Sequence, residues 1–201
     1  MLHGYGSNEA DLFMLASDLP PQYYPVSIRA PYTTPFGGYA WFALYTGPDL
    51  NITADRDQML DTAKHLDAFI QQLAAGQGWT ASPVLLGFSQ GGMMAYRLSL
   101  YSPHDYSRAA VLSSKLPVEE LPPVSFERAR QLQFYVSHGL YDDVIPVDEA
   151  RRSVQWLRHQ GIAVDYHEYP SGHFLTGANI NDLSAWLARH VPPADQEVRN
   201  T

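Results

Sequence analysis

The chain has 201 residues, 45% hydrophobic and 17% charged, a length that suits one domain, which at this size buries roughly 70% of the surface its unfolded chain exposes. Thirteen Lys+Arg against twenty-one Asp+Glu give a net charge of −8 with no basic run, which argues against a nucleic-acid partner, and the absence of cysteine removes disulfides, thiolate metal sites and cysteine nucleophiles. No apolar run approaches the ~18 residues of a membrane span and the first residues lack the layout of a signal peptide, so the expectation is a cytoplasmic protein without stable membrane insertion.

Residues 8–19 carry a helical stripe in Leu12, Leu15, Ala16 and Leu19 that Pro20-Pro21 stop. Val26-Ser27-Ile28 reads as a short strand. Residues 31–50 look irregular and hold Tyr32, Phe36, Tyr39, Trp41, Phe42 and Tyr45. Met59, Ala63, Leu66, Phe69, Ile70 and Leu73 then repeat at helical spacing, with Gly76 where a cap belongs. Pro83–Leu86, Ala109–Leu112 and Leu132–Val136 are short apolar runs, consistent with strands buried on both faces. Helices are expected at about 90–101, about 148–160 and around Leu183, Trp186 and Leu187, with an alternating strand through Ile162, Val164 and Tyr166. Strands alternating with helices predict an α/β fold with a mostly parallel central sheet and helices on both faces. One domain is expected over 1–191, followed by a polar tail at 192–201.

Gly87-Phe88-Ser89-Gln90-Gly91 lies directly after an expected strand and before an expected helix. Gly-x-Ser-x-Gly in that context presents a nucleophile on a tight turn, with glycines where side chains would collide, and sets Ser89 at a helix N-terminus that favours a developing anion. The plainer alternative is a glycine-rich turn with an incidental serine. A serine nucleophile needs a base, and the base needs an orienting acid, in the order Ser, Asp, His. Two loops that follow expected parallel strands supply them: Asp142 or Asp143 after 132–137, with spacing favouring Asp142, and His173 after 162–168. Loops at the carboxyl ends of parallel strands can converge on one point. One backbone donor for an oxyanion is expected at Gln90, and Tyr5 in His3-Gly4-Tyr5-Gly6 is the candidate for the second. His3 and His138 read as hydrogen-bonding structural residues. No cluster has metal-site spacing, so no metal is expected.

At these residues the sequence resembles the phospholipase/carboxylesterase family of α/β-hydrolases, which includes acyl-protein thioesterases. The resemblance rests on Leu2–Gly6, Ala40-Trp41-Phe42, Gly87–Gly92, His138-Gly139 with Asp142 and Pro146, and Gly172-His173. It implies a Ser89–Asp142–His173 triad, oxyanion donors at Tyr5 and Gln90, and hydrolysis of short- to medium-chain esters without a cofactor. Ala43 stands where the family usually has Asp. Family members also carry an interior strand just before the His-Gly motif, so either residues preceding Met1 belong to the natural protein or another segment takes that position. An open gap there would count against this register.

The aromatic segment suggests Trp41 and Phe42 as walls of an acyl pocket, with burial in the core as the equal alternative. The functional expectation is a serine carboxylesterase acting on small-molecule or lipid-like esters. A lysophospholipase or acyl-protein thioesterase is the near alternative, and a non-catalytic binding protein on the same scaffold the distant one. The aromatics of 31–50 leave a homodimer open.

Overall fold

A computed structural model describes residues 1–46, 52–117 and 126–189. The expected tail at 192–201 and part of the segment 31–50 lie outside them. Four parallel strands form the central sheet in spatial order β5-β6-β7-β8: β5 (Val84–Phe88), β6 (Arg108–Leu112), β7 (Gln133–Gly139) and β8 (Ala163–Tyr169). Chain order and spatial order coincide, with α3 (Gln90–Tyr101), α4 (Phe126–Ala129) and α5 (Val147–His159) falling between successive strands and α6 (Gly177–Arg189) after the last.

The two faces follow from period-two alternation. Leu85, Ala109, Val111, Phe134 and Val136 meet α2 (Arg56–Gly76), α3 and α5 through Met59, Leu66, Met94, Val154 and Leu157. Their neighbours Leu86, Ala110, Leu112 and Tyr135 point the other way, against Leu12, Leu15 and the α6 residues Leu183, Trp186 and Leu187. Each larger aliphatic or aromatic side chain among these contributes about 2 kcal/mol on leaving water, and burial on both faces is why these strands read as unbroken apolar runs.

Several local expectations need correction. The stripe over 8–19 is not one helix: α1 (Glu9–Phe13) tightens into a 3-10 turn at Met14–Asp18. Gly76 is the last residue of α2, and Gln77 caps it. The segment 31–50 is more regular than it reads, because β1 (Tyr32–Thr33) pairs with β2 (Tyr39–Ala40) and β3 (Leu44–Thr46) with β4 (Ile52–Ala54), both antiparallel. Two- and three-residue ribbons carry too few alternating positions to show a period.

The N-terminus docks at the β5 edge. Leu2 N–H donates to Leu86 O at 2.8 Å, Phe88 N–H donates to Leu2 O at 3.1 Å, and Leu2 bridges Gly87 on one side and Ile28 on the other, parallel to both. Leu2 thus pairs with β5 directly ahead of His3-Gly4. Even so, a groove of about 820 Å³ opens beside the first half of β5.

Gly91 is where this docking is tightest. A methyl group there would run into the Leu2 carbonyl and stand 2.6 Å from His3 O. Gly91→Ala is expected to lower stability by about 3 kcal/mol, the upper range for overpacking. Urea unfolding of the two proteins measures it.

Candidate active site

The β5–α3 turn is sharp enough to force a serine into glycine's conformational territory. Ser89 has φ 53° and ψ −118°, a conformation that costs an L-residue of the order of 1–3 kcal/mol. Backbone contacts hold it there. Ser89 N–H donates to Leu112 O at 2.9 Å, and its carbonyl accepts from Gly92 N–H at 2.9 Å and from the Ser114 hydroxyl at 2.7 Å. A Cβ at Gly87 would collide with the Gly91 carbonyl, so the strand and the new helix can cross this closely only without side chains.

Two further loops arrive at the carboxyl ends of β7 and β8 and are tied to each other. Leu140 N–H donates to Tyr169 O at 2.8 Å and Tyr141 N–H to Ser171 O at 2.9 Å. They bring His173 and Asp142 to Ser89. The Ser89 hydroxyl lies 2.9 Å from His173 Nε2, and His173 Nδ1 lies 2.7 Å from Asp142 Oδ2. Asp143 is exposed, so geometry separates the two aspartates where spacing only favoured one.

The Asp142 carboxylate is fully buried, and an ion removed from water needs a complete set of donors. It has them. Oδ1 accepts the N–H groups of Val144 at 2.9 Å and Ile145 at 2.8 Å, while Oδ2 faces His173 and, at 3.2 Å, His138 Nε2. His138 Nε2 also lies 2.7 Å from Ile145 O, so that nitrogen carries the proton and donates. Burial holds the His138 pKa below its ordinary 6.5, the nearby Asp142 charge only partly opposing it. A neutral His138 braces Asp142 without competing for its charge. Its place before a glycine at a strand end is visible in the sequence; its contact with the acid is not.

The loop His3–Gly6 passes across the serine: a Cβ on Gly4 would stand 3.4 Å from Ser89 Cβ. Tyr5 and Gln90 therefore flank Ser89 from two directions, on the incoming loop and at the start of α3. The loop's conformation is set by His3, whose Nδ1–H donates to Gly4 O at 2.7 Å while Nε2 accepts Ala30 N–H at 3.1 Å. The Gln90 side chain has a task the sequence did not disclose. Its Oε1 accepts Trp41 N–H at 2.9 Å and its Nε2 donates to Phe42 O at 2.7 Å.

Trp41 and Phe42 are 1% and 0% exposed and belong to the core. Of the two alternatives for this pair, burial favours the core: Phe42 presents no surface to a ligand, and Trp41 Nε1–H donates to His3 O at 2.8 Å, supporting the loop from behind. On the three loops, the side chains of Tyr5, Tyr141 and Phe174 reach the surface, at 40%, 72% and 57%; Tyr141 and Phe174 adjoin Asp142 and His173 in sequence. Among the described residues no group of three or more His, Asp and Glu side chains is placed to hold a metal ion, and no helix is long and apolar enough to cross a membrane.

Burial of His138 links the site to stability. The unfolded chain takes up its proton near the ordinary value, the folded protein only at lower pH. Between these the unfolded state binds more protons, so stability is full above the ordinary value and falls as pH drops through this window. We expect the melting temperature to decline from about pH 7 to about pH 5, and less steeply in His138→Gln, as thermal scans across that range would record.

A comparison with known proteins agrees with this architecture. The model of the phospholipase/carboxylesterase family matches residues 1–191. A probable carboxylesterase SOBER1-like protein of Arabidopsis thaliana is 26% identical over 158 residues, covering 76% of this chain and 59% of that protein. A probable inactive carboxylesterase of Oryza sativa subsp. japonica is 25% identical over 210 residues, 98% of this chain and 85% of that one. For three of the matched relatives the chain spans only 59–61% of their length. The crystal structure of a Bacillus cereus carboxylesterase superposes with a TM-score of 0.82 at 22% identity, over 94% of this chain and 85% of its own, which establishes the α/β-hydrolase fold. With the family model running through every loop that meets at Ser89, the chain belongs to the phospholipase/carboxylesterase family.

Proposed function

We propose that the protein is a serine hydrolase that cleaves carboxylic esters of short to medium acyl chains through an acyl-enzyme. The observation that carries this reading is the unbroken relay from the Ser89 hydroxyl to His173 Nε2 at 2.9 Å and from His173 Nδ1 to the buried Asp142 at 2.7 Å. Ser89 Oγ attacks the ester carbonyl while His173 takes its proton. Asp142 fixes the imidazole tautomer and stabilises the imidazolium. The oxyanion that forms is received by the backbone N–H groups of Tyr5 and Gln90, each donor worth about 3–4 kcal/mol in the transition state. His173 then returns the proton to the departing alcohol, leaving the acyl group on Ser89. Water activated by the same imidazole releases the acid and restores the serine.

The acyl chain lies on the exposed apolar side chains beside this relay, Tyr141 and Phe174, which adjoin Asp142 and His173 in sequence. The Phe88 ring, with its centroid 5.0 Å from that of His173, shields the imidazole on one side and limits its rotation.

A fluorophosphonate probe tests the chemistry directly. Labelling of the protein that disappears in Ser89→Ala supports a nucleophilic serine; a folded protein that takes no label refutes it. Ser89→Ala keeps the strained backbone and Ser89→Gly relieves it. Both should lose all ester turnover, with the glycine variant more stable than the alanine variant by about 1 kcal/mol, read from urea midpoints. Phe174→Ala should raise KM for a hexanoyl ester about fivefold and leave acetyl ester turnover nearly unchanged, because roughly 1 kcal/mol of apolar contact is lost. Equal effects on the two esters would remove Phe174 from the acyl surface.

A further inference from the structure

Each of the two N–H groups assigned to the oxyanion belongs to a peptide group whose other end is gripped. A trans peptide is planar, with its C=O and N–H pointing in opposite directions, so whatever fixes the oxygen aims the N–H. The Tyr5 N–H shares its peptide with Gly4 O, and that oxygen accepts Nδ1–H of the buried His3 at 2.7 Å. The Gln90 N–H shares its peptide with Ser89 O. That oxygen accepts from the first turn of α3, through Gly92 N–H at 2.9 Å and Met93 N–H at 3.2 Å. It also accepts from a side chain outside the helix, the Ser114 hydroxyl at 2.7 Å.

Ser114 is held in this position from two sides. β6 ends at Leu112, and Ser113 then turns the chain with φ 46° while its N–H stays paired with Ser137 O at 2.8 Å. The turn delivers Ser114, 1% exposed, against the start of α3. Room for it exists because Gly92 carries no side chain: a Cβ there would stand 2.6 Å from Ser114 Cβ and 2.7 Å from its Oγ. The helix therefore begins with a bare face, and a hydroxyl from the next strand fills it. A hydrogen bond to the carbonyl also polarises the N–H of the same peptide, since linked bonds strengthen one another.

We propose that Ser114 is a positioning residue of the reaction: its hydroxyl locks the Ser89–Gln90 peptide so that the Gln90 N–H faces the oxyanion, as His3 does for the Gly4–Tyr5 peptide. The proposal rests on the serine-hydrolase reading of the site and adds to it a side chain that acts only through the backbone. A bond that merely steadied the strained turn would change stability and the fraction of active protein, and so would scale all substrates alike. A bond that aims an oxyanion donor weighs on the atom that takes the charge.

An ester and its thiono analogue, with C=S in place of C=O, separate these two roles. Sulfur is a weak hydrogen-bond acceptor and draws less on the N–H pair. In Ser114→Ala, kcat for a butyryl ester should fall about tenfold with KM held within about twofold, short of the roughly hundredfold loss or more that follows deletion of an oxyanion donor itself. The thiono ester should lose only about twofold, so that the ratio of the two kcat values shrinks about fivefold. Ser99→Ala, the same exchange at a buried serine farther along α3, should leave that ratio as it is. Ser114→Cys, a weaker donor, takes the place of the alanine variant should that one fail to fold, with a smaller shift in the same direction. The proposal is overturned if the folded Ser114 variant keeps the wild-type ratio, whether its activity is unchanged or lowered for both esters alike; turnover by the wild-type protein then leaves the hydrolase reading standing. A wild-type protein that neither cleaves the ester nor takes the fluorophosphonate label refutes that reading, and the role of Ser114 with it.

Discussion

Everything at the site depends on a backbone conformation that the serine would not choose. At φ 53° Ser89 stores strain of the order of 1–3 kcal/mol, and the strain persists because its surroundings over-determine it. Its N–H is held by β6 through Leu112, its carbonyl by Ser114 and the first turn of α3. The carbonyl oxygens of Leu2 and His3 press against Gly91. What the strain provides is exposure: the hydroxyl leaves the sheet at its carboxyl edge, where loops from two other strands can reach it.

The second constraint is electrostatic. A carboxylate with no solvent exposure is tolerable only when its lone pairs are filled. Asp142 meets this with two backbone amides on one oxygen and two imidazoles around the other. One imidazole reaches the serine. The other, His138, is turned into the protein and shares its proton between the acid and Ile145 O. The same residue type thus serves in two ways, and location decides which: His173 stands at the surface rim, partly open, whereas burial keeps His138 neutral. The 139–145 loop is thereby tied together from within.

Much of this was legible in the sequence where local rules act alone. The β5-to-α3 turn, the apolar strand runs and α3 at Gln90–Tyr101 were readable because composition and period specify them. What escaped reading depends on contacts between distant segments. Trp41 and Phe42 show the limit: aromatic content predicts apolar surroundings, but cannot say whether a wall or a core is meant. Only the clamp from the Gln90 side chain and the bond from Trp41 Nε1–H to His3 O reveal that they support the His3–Gly6 loop from inside. The choice between Asp142 and Asp143 likewise needed geometry, since neighbours in sequence differ completely in burial. Short ribbons such as β1–β2 carried no period to read.

The loop His3–Gly6 joins these themes. It is gripped from behind by Trp41, from within by His3 and from its N-terminal side by the bridges of Leu2 to Gly87 and Ile28. In the proposed reaction this loop aims an N–H group at a developing charge, which calls for preorganisation, since reorganisation during reaction would forfeit much of its stabilisation. Two of its three supports are complete, made of fully buried side chains with satisfied hydrogen bonds. The upstream one rests on a single pair of ladder bonds to β5, beside an apolar groove that continues its line. The His3–Gly6 loop and the edge of the sheet are therefore one mechanical unit, joined through the pairing of Leu2 with β5.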